Sequence, residues 1–369
     1  MNQQDVKSRR NVIRSLFVGV FLGLIVAAIF LAAFLMPLPY VVYSPGPTIN
    51  VLGESGGQEV LTVEGGEDTD TGELRLVTVG ESGGPGKGNV TLALMVRAWL
   101  TPGWEVQTYE SIYGNQELTA EEVEAASKAQ MEVSQATAPV AALTYLDYDI
   151  DAKITVVGTA PDSSAEGIFE EGDVLVSILA LGKEHAMNTP DAPFALMETL
   201  PPGTKIEVTV LRGGKEKILT VTTAKDPNNP EAKGSKAGLY LTVDAKLPID
   251  IEFHLEKITG PSAGTIFALG VIDKLTPGSL AGDASIAGTG TVSYTGEVGI
   301  IGGIVQKMHG AKRDGAEWFL APEGNCGAVV DNIPDGLNVV SIDTLDSAVE
   351  AVEAIAAGKT DDLPTCQAG

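Results

Sequence analysis

From Ser15 to Met36 the chain carries no charged side chain, and most of its residues there are large and apolar. At the rise of an α-helix this run spans about 30 Å, the thickness of a bilayer's hydrocarbon core. Few features restrict a fold more, because whatever follows must be compatible with one end held in lipid. Lys7, Arg9, Arg10 and Arg14 precede the run. No further lysine or arginine occurs before Arg75, while Glu54, Glu59, Glu64, Glu67, Asp68 and Asp70 intervene. The positive-inside rule then predicts a cytoplasmic segment over 1–14, a transmembrane helix over 15–36, and an extracytoplasmic remainder after Pro37. The rival is a cleaved signal peptide. Against it stand the length of the run and the presence of Pro37 and Pro39 where a small-residue cleavage site belongs.

The remaining chain, of 369 residues in all, is long enough for two compact domains. A formal charge of −25 argues against nucleic-acid binding, which needs a basic surface. Three scattered histidines (His185, His254, His309) and two late cysteines give no metal-ligand spacing, so no metal or other cofactor is expected. Cys326 and Cys366 are either a disulfide or two free thiols. Gly86-Lys87 invites a phosphate-loop reading. Glu81 stands where the first glycine belongs, however, and Gly88 where a magnesium-binding hydroxyl belongs, so no ATP site is expected.

The candidate chemistry lies in two small-residue motifs. Gly260-Pro261-Ser262-Ala263-Gly264 sets a serine at the start of an apolar helix pattern. Gly302-Gly303-Ile304-Val305-Gln306-Lys307 sets a lysine near another helix start. A serine hydroxyl becomes a nucleophile when a nearby base removes its proton. Lysine can be that base if burial lowers its pKa, and Ile300, Ile301, Ile304 and Val305 offer the apolar surroundings. Backbone N–H groups at Gly260, Ser262 and Ala263 are candidates for an oxyanion hole. The bland alternatives are a helix-capping serine and a solvated lysine. A Ser-His-Asp arrangement through His254 or His309 also stays open.

These motifs, with Gly288-Thr289-Gly290-Thr291-Val292, the run from Gly296 to Gly303, and the run from Gly315 to Asn325, resemble the proteolytic domain of the Lon proteases from about Leu247 to Asn325. That family uses a Ser-Lys dyad. The resemblance implies Ser262 as nucleophile, Lys307 as base and Thr289 as a hydrogen-bonding support. It gives Asn325 no catalytic part. Thr259, Gly288 and Thr291 depart from the residues more usual in the family.

Residues 118–146 read as a helix capped by Thr119, with a break or kink near Pro139. Between this helix and the serine, residues 152–225 resemble a PDZ domain. Ile154 to Val157 and Glu171 to Ile178 read as strands, Ala165 to Phe169 as lying near a short helix, and Thr189 to Leu200 as a second helix. A closing hairpin turns at Gly213-Gly214. The expected fold class is therefore α+β, a Lon-proteolytic-like α/β domain (37–148 and 239–360) behind an N-terminal transmembrane helix. It is interrupted by an inserted PDZ-like β-rich domain, with a linker over 226–238 and a tail over 361–369.

The resemblance implies a membrane-anchored, ATP-independent serine endopeptidase that cleaves secreted or membrane-associated peptides and unfolded proteins, self-association being possible. The alternatives are a catalytically silent membrane scaffold whose PDZ-like domain binds peptide termini, and a protein that cleaves only itself.

Overall fold

The structure is a computed structural model describing residues 16–26, 28, 31, 32, 34–67, 71–114, 118–227, 234–255 and 258–367. The basic segment 1–14 and residues 228–233 of the linker predicted over 226–238 lie outside the described residues. Of the expected transmembrane helix, residues 16–26, 28, 31, 32, 34 and 35 are helical, and Leu16, Phe17, Phe21 and Leu35 are exposed. Residues 15, 27, 29, 30 and 33 of that run lie outside the described residues, and among the described residues no helix is long and apolar enough to cross a membrane.

Beyond the helical residues come strands Tyr40–Asn50 (β1), Leu61–Val63 (β2) and Glu73–Ser82 (β3), then helix Leu92–Leu100 (α1), strand Glu105–Thr108 (β4) and helix Ala120–Tyr145 (α2). A bulge interrupts β1 near Pro45 and Pro47. β1 runs on to Asn50, with a register shift against β3 between Pro45 and Thr48, where proline lacks the N–H a regular ladder needs. α2 begins with a capping box, in which Thr119 Oγ1 accepts the Glu122 N–H at 3.2 Å and Glu122 Oε2 accepts the Thr119 N–H at 2.8 Å. The break expected at Pro139 is absent. The helix passes through it, held by packing of the buried run Ala138–Leu143.

The chain then leaves for a second sheet built from Asp151–Thr159 (β5), Val174–Ala180 (β6), Lys205–Arg212 (β7), Lys215–Thr222 (β8) and Leu239–Lys246 (β9), with helix Ala192–Thr199 (α3) before β7. The order is β8-β7-β6-β5-β9, and Lys183–Ala186 pairs alongside β6. Ile154, Val156, Phe169, Leu175, Ile206, Val208 and Val210 fill its core. Asp173, fully buried, accepts two hydrogen bonds at 2.6 Å from the Arg212 fork and one at 3.0 Å from the Glu170 N–H. This is why a glycine–aspartate pair introduces β6. Two expectations are corrected. Ala165 to Phe169 forms hydrogen-bonded turns in place of a short helix. β9, assigned from sequence to the start of the second Lon-like half, pairs with β5 along its whole length and belongs to this second sheet.

After β9 the chain returns. Ile251–Phe253 (β10) pairs with β2, and helix Gly264–Leu275 (α4), strand Ser285–Gly288 (β11), a short hairpin of Thr291–Val292 (β12) and Val298–Gly299 (β13), and helix Ile304–Arg313 (α5) follow. Strands Trp318–Pro322 (β14) and Asn338–Ile342 (β15) and helix Leu345–Ala356 (α6) complete the fold. The first sheet has the order β15-β14-β11-β3-β1-β4; its first four strands are parallel, and β1 is antiparallel to both its neighbours, β3 and β4. β3 and β11 lie side by side although the second sheet separates them in sequence. Side chains alternate between faces. Ile286 and Leu320 pack with Ile266, Leu269 and Val349 in one core, and Ala287 and Phe319 pack with Ile304 and Met308 in another. Helices therefore cover both faces, which is how parallel strands such as β14 come to read as continuous apolar runs.

Cys326 and Cys366 form a disulfide, with sulfurs 2.04 Å apart, settling the two readings of these residues. Beside it the Pro364 carbonyl accepts the Ser341 N–H at 2.8 Å, covering part of the outer edge of β15.

Candidate active site

The two motifs approach each other beyond the carboxyl end of β11, where open α/β sheets commonly place their sites. Thr289 is the residue that follows this strand, and it is fully buried. Ser262 stands immediately before the Ala263 N-cap of α4 and is partly exposed. Its carbonyl accepts the Gly290 N–H at 2.9 Å and the Thr289 hydroxyl at 3.0 Å. Thr265 N–H returns a bond to the Gly290 carbonyl at 3.1 Å, so the serine turn and the segment after β11 are laced together from both sides.

Lys307 comes from the opposite face of the sheet. It occupies the first turn of α5, whose N-cap is Gly303 at φ +69°. A Cβ there would lie 2.7 Å from Val79 Cγ2, so glycine is required both for the left-handed turn and for space against β3. Two turns on from Gly303, a Cβ at Gly310 would lie 2.9 Å from the Gly46 carbonyl oxygen; its absence lets α5 settle onto β1. The helix can then send Lys307 through to the serine.

Lys307 Nζ lies 2.7 Å from Ser262 Oγ and 3.0 Å from Thr289 Oγ1. The lysine is only 3% exposed, and burial lowers its pKa from the usual 10.5 to about 7. No charged neighbour contributes to that shift. An ammonium placed there loses hydration without gaining a counter-ion, so the neutral amine is favoured. Its lone pair can accept the Ser262 O–H. One of its N–H groups can donate to Thr289 Oγ1, whose own hydrogen goes to the Ser262 carbonyl. Each group thus has one consistent role in the network.

Of the predicted oxyanion donors, Gly260 is corrected. Its N–H is already donated to the Ser127 carbonyl at 3.0 Å. The N–H groups of Ser262 and Ala263 have no acceptor among the described residues. They sit at the start of α4, where the helix dipole favours negative charge.

Neither histidine joins Ser262 in a hydrogen bond among the described residues. His254 Nε2 lies 3.3 Å from Thr62 Oγ1, and His309 lines a cleft of about 670 Å³ with Trp104, Gln306 and Asn325. Ser262 is not among the residues lining that cleft. Asn325 accepts the Ile301 N–H at 3.0 Å and donates to the Ile301 carbonyl at 2.9 Å, a structural clamp on the loop before α5. No cluster of His, Cys, Asp and Glu suited to a metal ion occurs among the described residues.

Sequence reasoning missed the part played by α2. Besides Ser127, Ser134 Oγ donates to the Pro261 carbonyl at 3.2 Å, so one helix face braces the serine turn. Two serines spaced two turns apart were a usable hint. The Ser127 contact runs through a backbone carbonyl, however, and no side chain announces it.

Residues 250–355 match the family described as the Lon protease (S16) C-terminal proteolytic domain. No curated protein matches the chain. Among solved structures it is similar to the PDZ domain of an SdrC-like protein from Listeria innocua, at 16% identity over 24% of this chain and 92% of that one, with a TM-score of 0.21. The PDZ domain of an SdrC-like protein from Listeria monocytogenes gives 16% identity over 24% and 85%, with a TM-score of 0.20. A Geobacillus thermodenitrificans structure gives 22% identity over 22% and 87%, with a TM-score of 0.19. The chain is thus similar, over a segment that contains Ser262, Thr289 and Lys307, to the proteolytic domain of Lon proteases.

Proposed function

We propose that the protein is a membrane-anchored serine endopeptidase working outside the cytoplasmic membrane, with Ser262 as nucleophile, Lys307 as general base and acid, and Thr289 as the group that holds the lysine. One observation carries this reading. A buried lysine, its pKa lowered to about 7, sits 2.7 Å from a serine hydroxyl at a helix start. Ser262 Oγ attacks the scissile carbonyl carbon while Nζ takes its proton, and the developing oxyanion turns toward the free N–H groups of Ser262 and Ala263. The ammonium then returns that proton to the leaving amine as the C–N bond breaks. Water, deprotonated by the same amine, hydrolyses the acyl-serine ester.

In this reading the second sheet is a PDZ-like domain inserted between β3 and β11 of a Lon-like domain. Its element order supports that, as does β9, an edge strand to which an extended peptide could add. Leu239, Leu241 and Val243 of β9 and Met197 of α3 pack against one core, leaving apolar lining between strand and helix. The apolar run and its flanking charges support the anchor and its orientation. With no phosphate loop in the sequence to drive unfolding, cleavage without ATP favours segments already extended.

The test is incubation of the full chain in detergent with β-casein, followed by fragment mapping, for wild type, Ser262→Ala and Lys307→Met. Defined fragments from wild type and none from either variant are expected. Equal fragmentation by all three sinks the peptidase reading. No fragmentation by any, together with retained peptide binding, would favour the silent scaffold, which the open edge of β9 also suits.

A further inference from the structure

A small loop joins the domain of the second sheet to the candidate active site. Tyr294, in the turn between β12 and β13, stacks on Phe194 of α3 with ring centroids 5.5 Å apart and planes 25° apart. Its neighbour Thr295 donates its hydroxyl to Glu198 of α3 at 3.0 Å. Tyr294 also packs against a cluster in which Val140 and Leu143 of α2 meet Ala245 and Leu247 on the return from β9. The turn is stiff, since Ser293 Oγ accepts the N–H groups of both Thr295 and Glu297. On its far side the hairpin is pinned to the core, with Val298 N–H on the Asp343 carbonyl at 2.7 Å and Leu345 N–H on the Gly296 carbonyl at 2.7 Å. On its near side it runs directly back through β12 into Gly290 and Thr289, which hold Ser262 and Lys307.

We infer that Tyr294, stacked on Phe194 in a turn that Thr295 also ties to Glu198, is a positioning residue for the Ser262–Lys307 pair, so that the inserted domain is part of the catalytic frame as well as a place for substrate. The inference rests on the peptidase reading and adds the route by which α3 bears on it. The near arm is tied at its base to α4, where Thr265 N–H bonds the Gly290 carbonyl at 3.1 Å and Thr265 Oγ1 the Thr291 carbonyl at 3.4 Å, while its tip meets α3 through Tyr294 and Thr295. Releasing its tip frees Thr289 and Gly290 to shift and opens the lysine pocket to water. Lys307 is surrounded there by the hydroxyls of Ser262 and Thr289, with no charged partner among the described residues, so hydration is what would move its titration.

The test compares full-length wild type, Tyr294→Ala, Tyr294→Phe, Phe194→Ala and the double Ala variant. The substrate is a fluorogenic peptide drawn from a β-casein site that wild type cleaves. Thermal melts certify folding. Tyr294→Ala and Phe194→Ala should each lower kcat about ten- to hundredfold with little change in KM, and raise the pH midpoint of kcat as the lysine regains water. Tyr294→Phe keeps the stacked ring and should match wild type, and the double variant should be no worse than the worse single one. Should one Ala variant fail to fold, the other carries the comparison from the opposite side of the contact. Wild-type kcat and pH midpoint in the Ala variants, or a loss confined to KM, overturns the inference and leaves the peptidase reading standing. A wild type no more active than Ser262→Ala overturns both.

Discussion

Thr289 Oγ1 lies 3.0 Å from Lys307 Nζ while donating to the carbonyl of Ser262, also at 3.0 Å. One buried hydroxyl therefore fixes the distance between a base on one helix and a nucleophile before another. The two carriers, α4 and α5, lie on opposite faces of the sheet, and Thr289 stands at the strand end between them.

Replacing Thr289 by valine removes both bonds at nearly constant volume. The Ser262 carbonyl keeps its Gly290 partner, so the turn should fold, at a cost of about 1–3 kcal/mol for the lost hydroxyl bonds. Lys307 loses its lateral hold, and kcat should fall about ten- to hundredfold with KM little changed. Steady-state kinetics beside a thermal melt separate the two effects.

The lowered pKa of Lys307 sets the direction of two pH effects. The amine must be neutral to act as base, so kcat/KM should rise with pH through about 7 and reach a plateau above it. Lys307→Arg, which stays charged throughout, should be inactive at every pH. For stability, the folded pKa of about 7 lies below the unfolded 10.5, so between these values the unfolded chain holds more protons. Stability should climb with pH across that window and be lowest below it. Lys307→Met should flatten the dependence and gain on the order of 3 kcal/mol at pH 6, read from urea unfolding at several pH values.

Gly303→Ala should cost about 1–3 kcal/mol, because alanine is strained at φ +69° and its methyl meets Val79. Activity should fall with it, since Gly303 sets the start of the helix that carries Lys307. Adding Val79→Ala relieves the collision but leaves the dihedral strained, so the double variant should recover stability only in part. A single variant as stable and active as wild type would contradict this account of α5.

Cys366→Ser opens the one disulfide found among the described residues and frees the tail beside β15. The expected loss is about 2–4 kcal/mol, seen as a lower Tm, and reductant should bring wild type to the same value. Because such bonds persist in oxidising compartments, a wild type purified with both thiols free would also weigh against an extracytoplasmic setting.

Local chemistry gave the sequence its strongest conclusions. Serine in a small-residue turn, the glycines before Lys307, the capping box at Thr119 and the hairpin at Gly213-Gly214 are short-range patterns, and each appears in the structure where the residues put it. Long-range pairing was harder to read. Nothing in Leu239–Lys246 says that it joins Asp151–Thr159, because half-buried alternation fits either sheet equally well. Pro139 signals a break that buried packing on α4 overrides. The N–H of Gly260 looks free until Ser127 is folded against it. The sequence by itself determined which groups could do the chemistry, since hydroxyl, amine and turn-forming glycine are properties of single residues. Only the tertiary structure decided that Ser262, Thr289 and Lys307 meet, that the lysine loses its water, and that Tyr294 meets Phe194. Burial and contact belong to packed surfaces, and these come together only when distant segments close over one another.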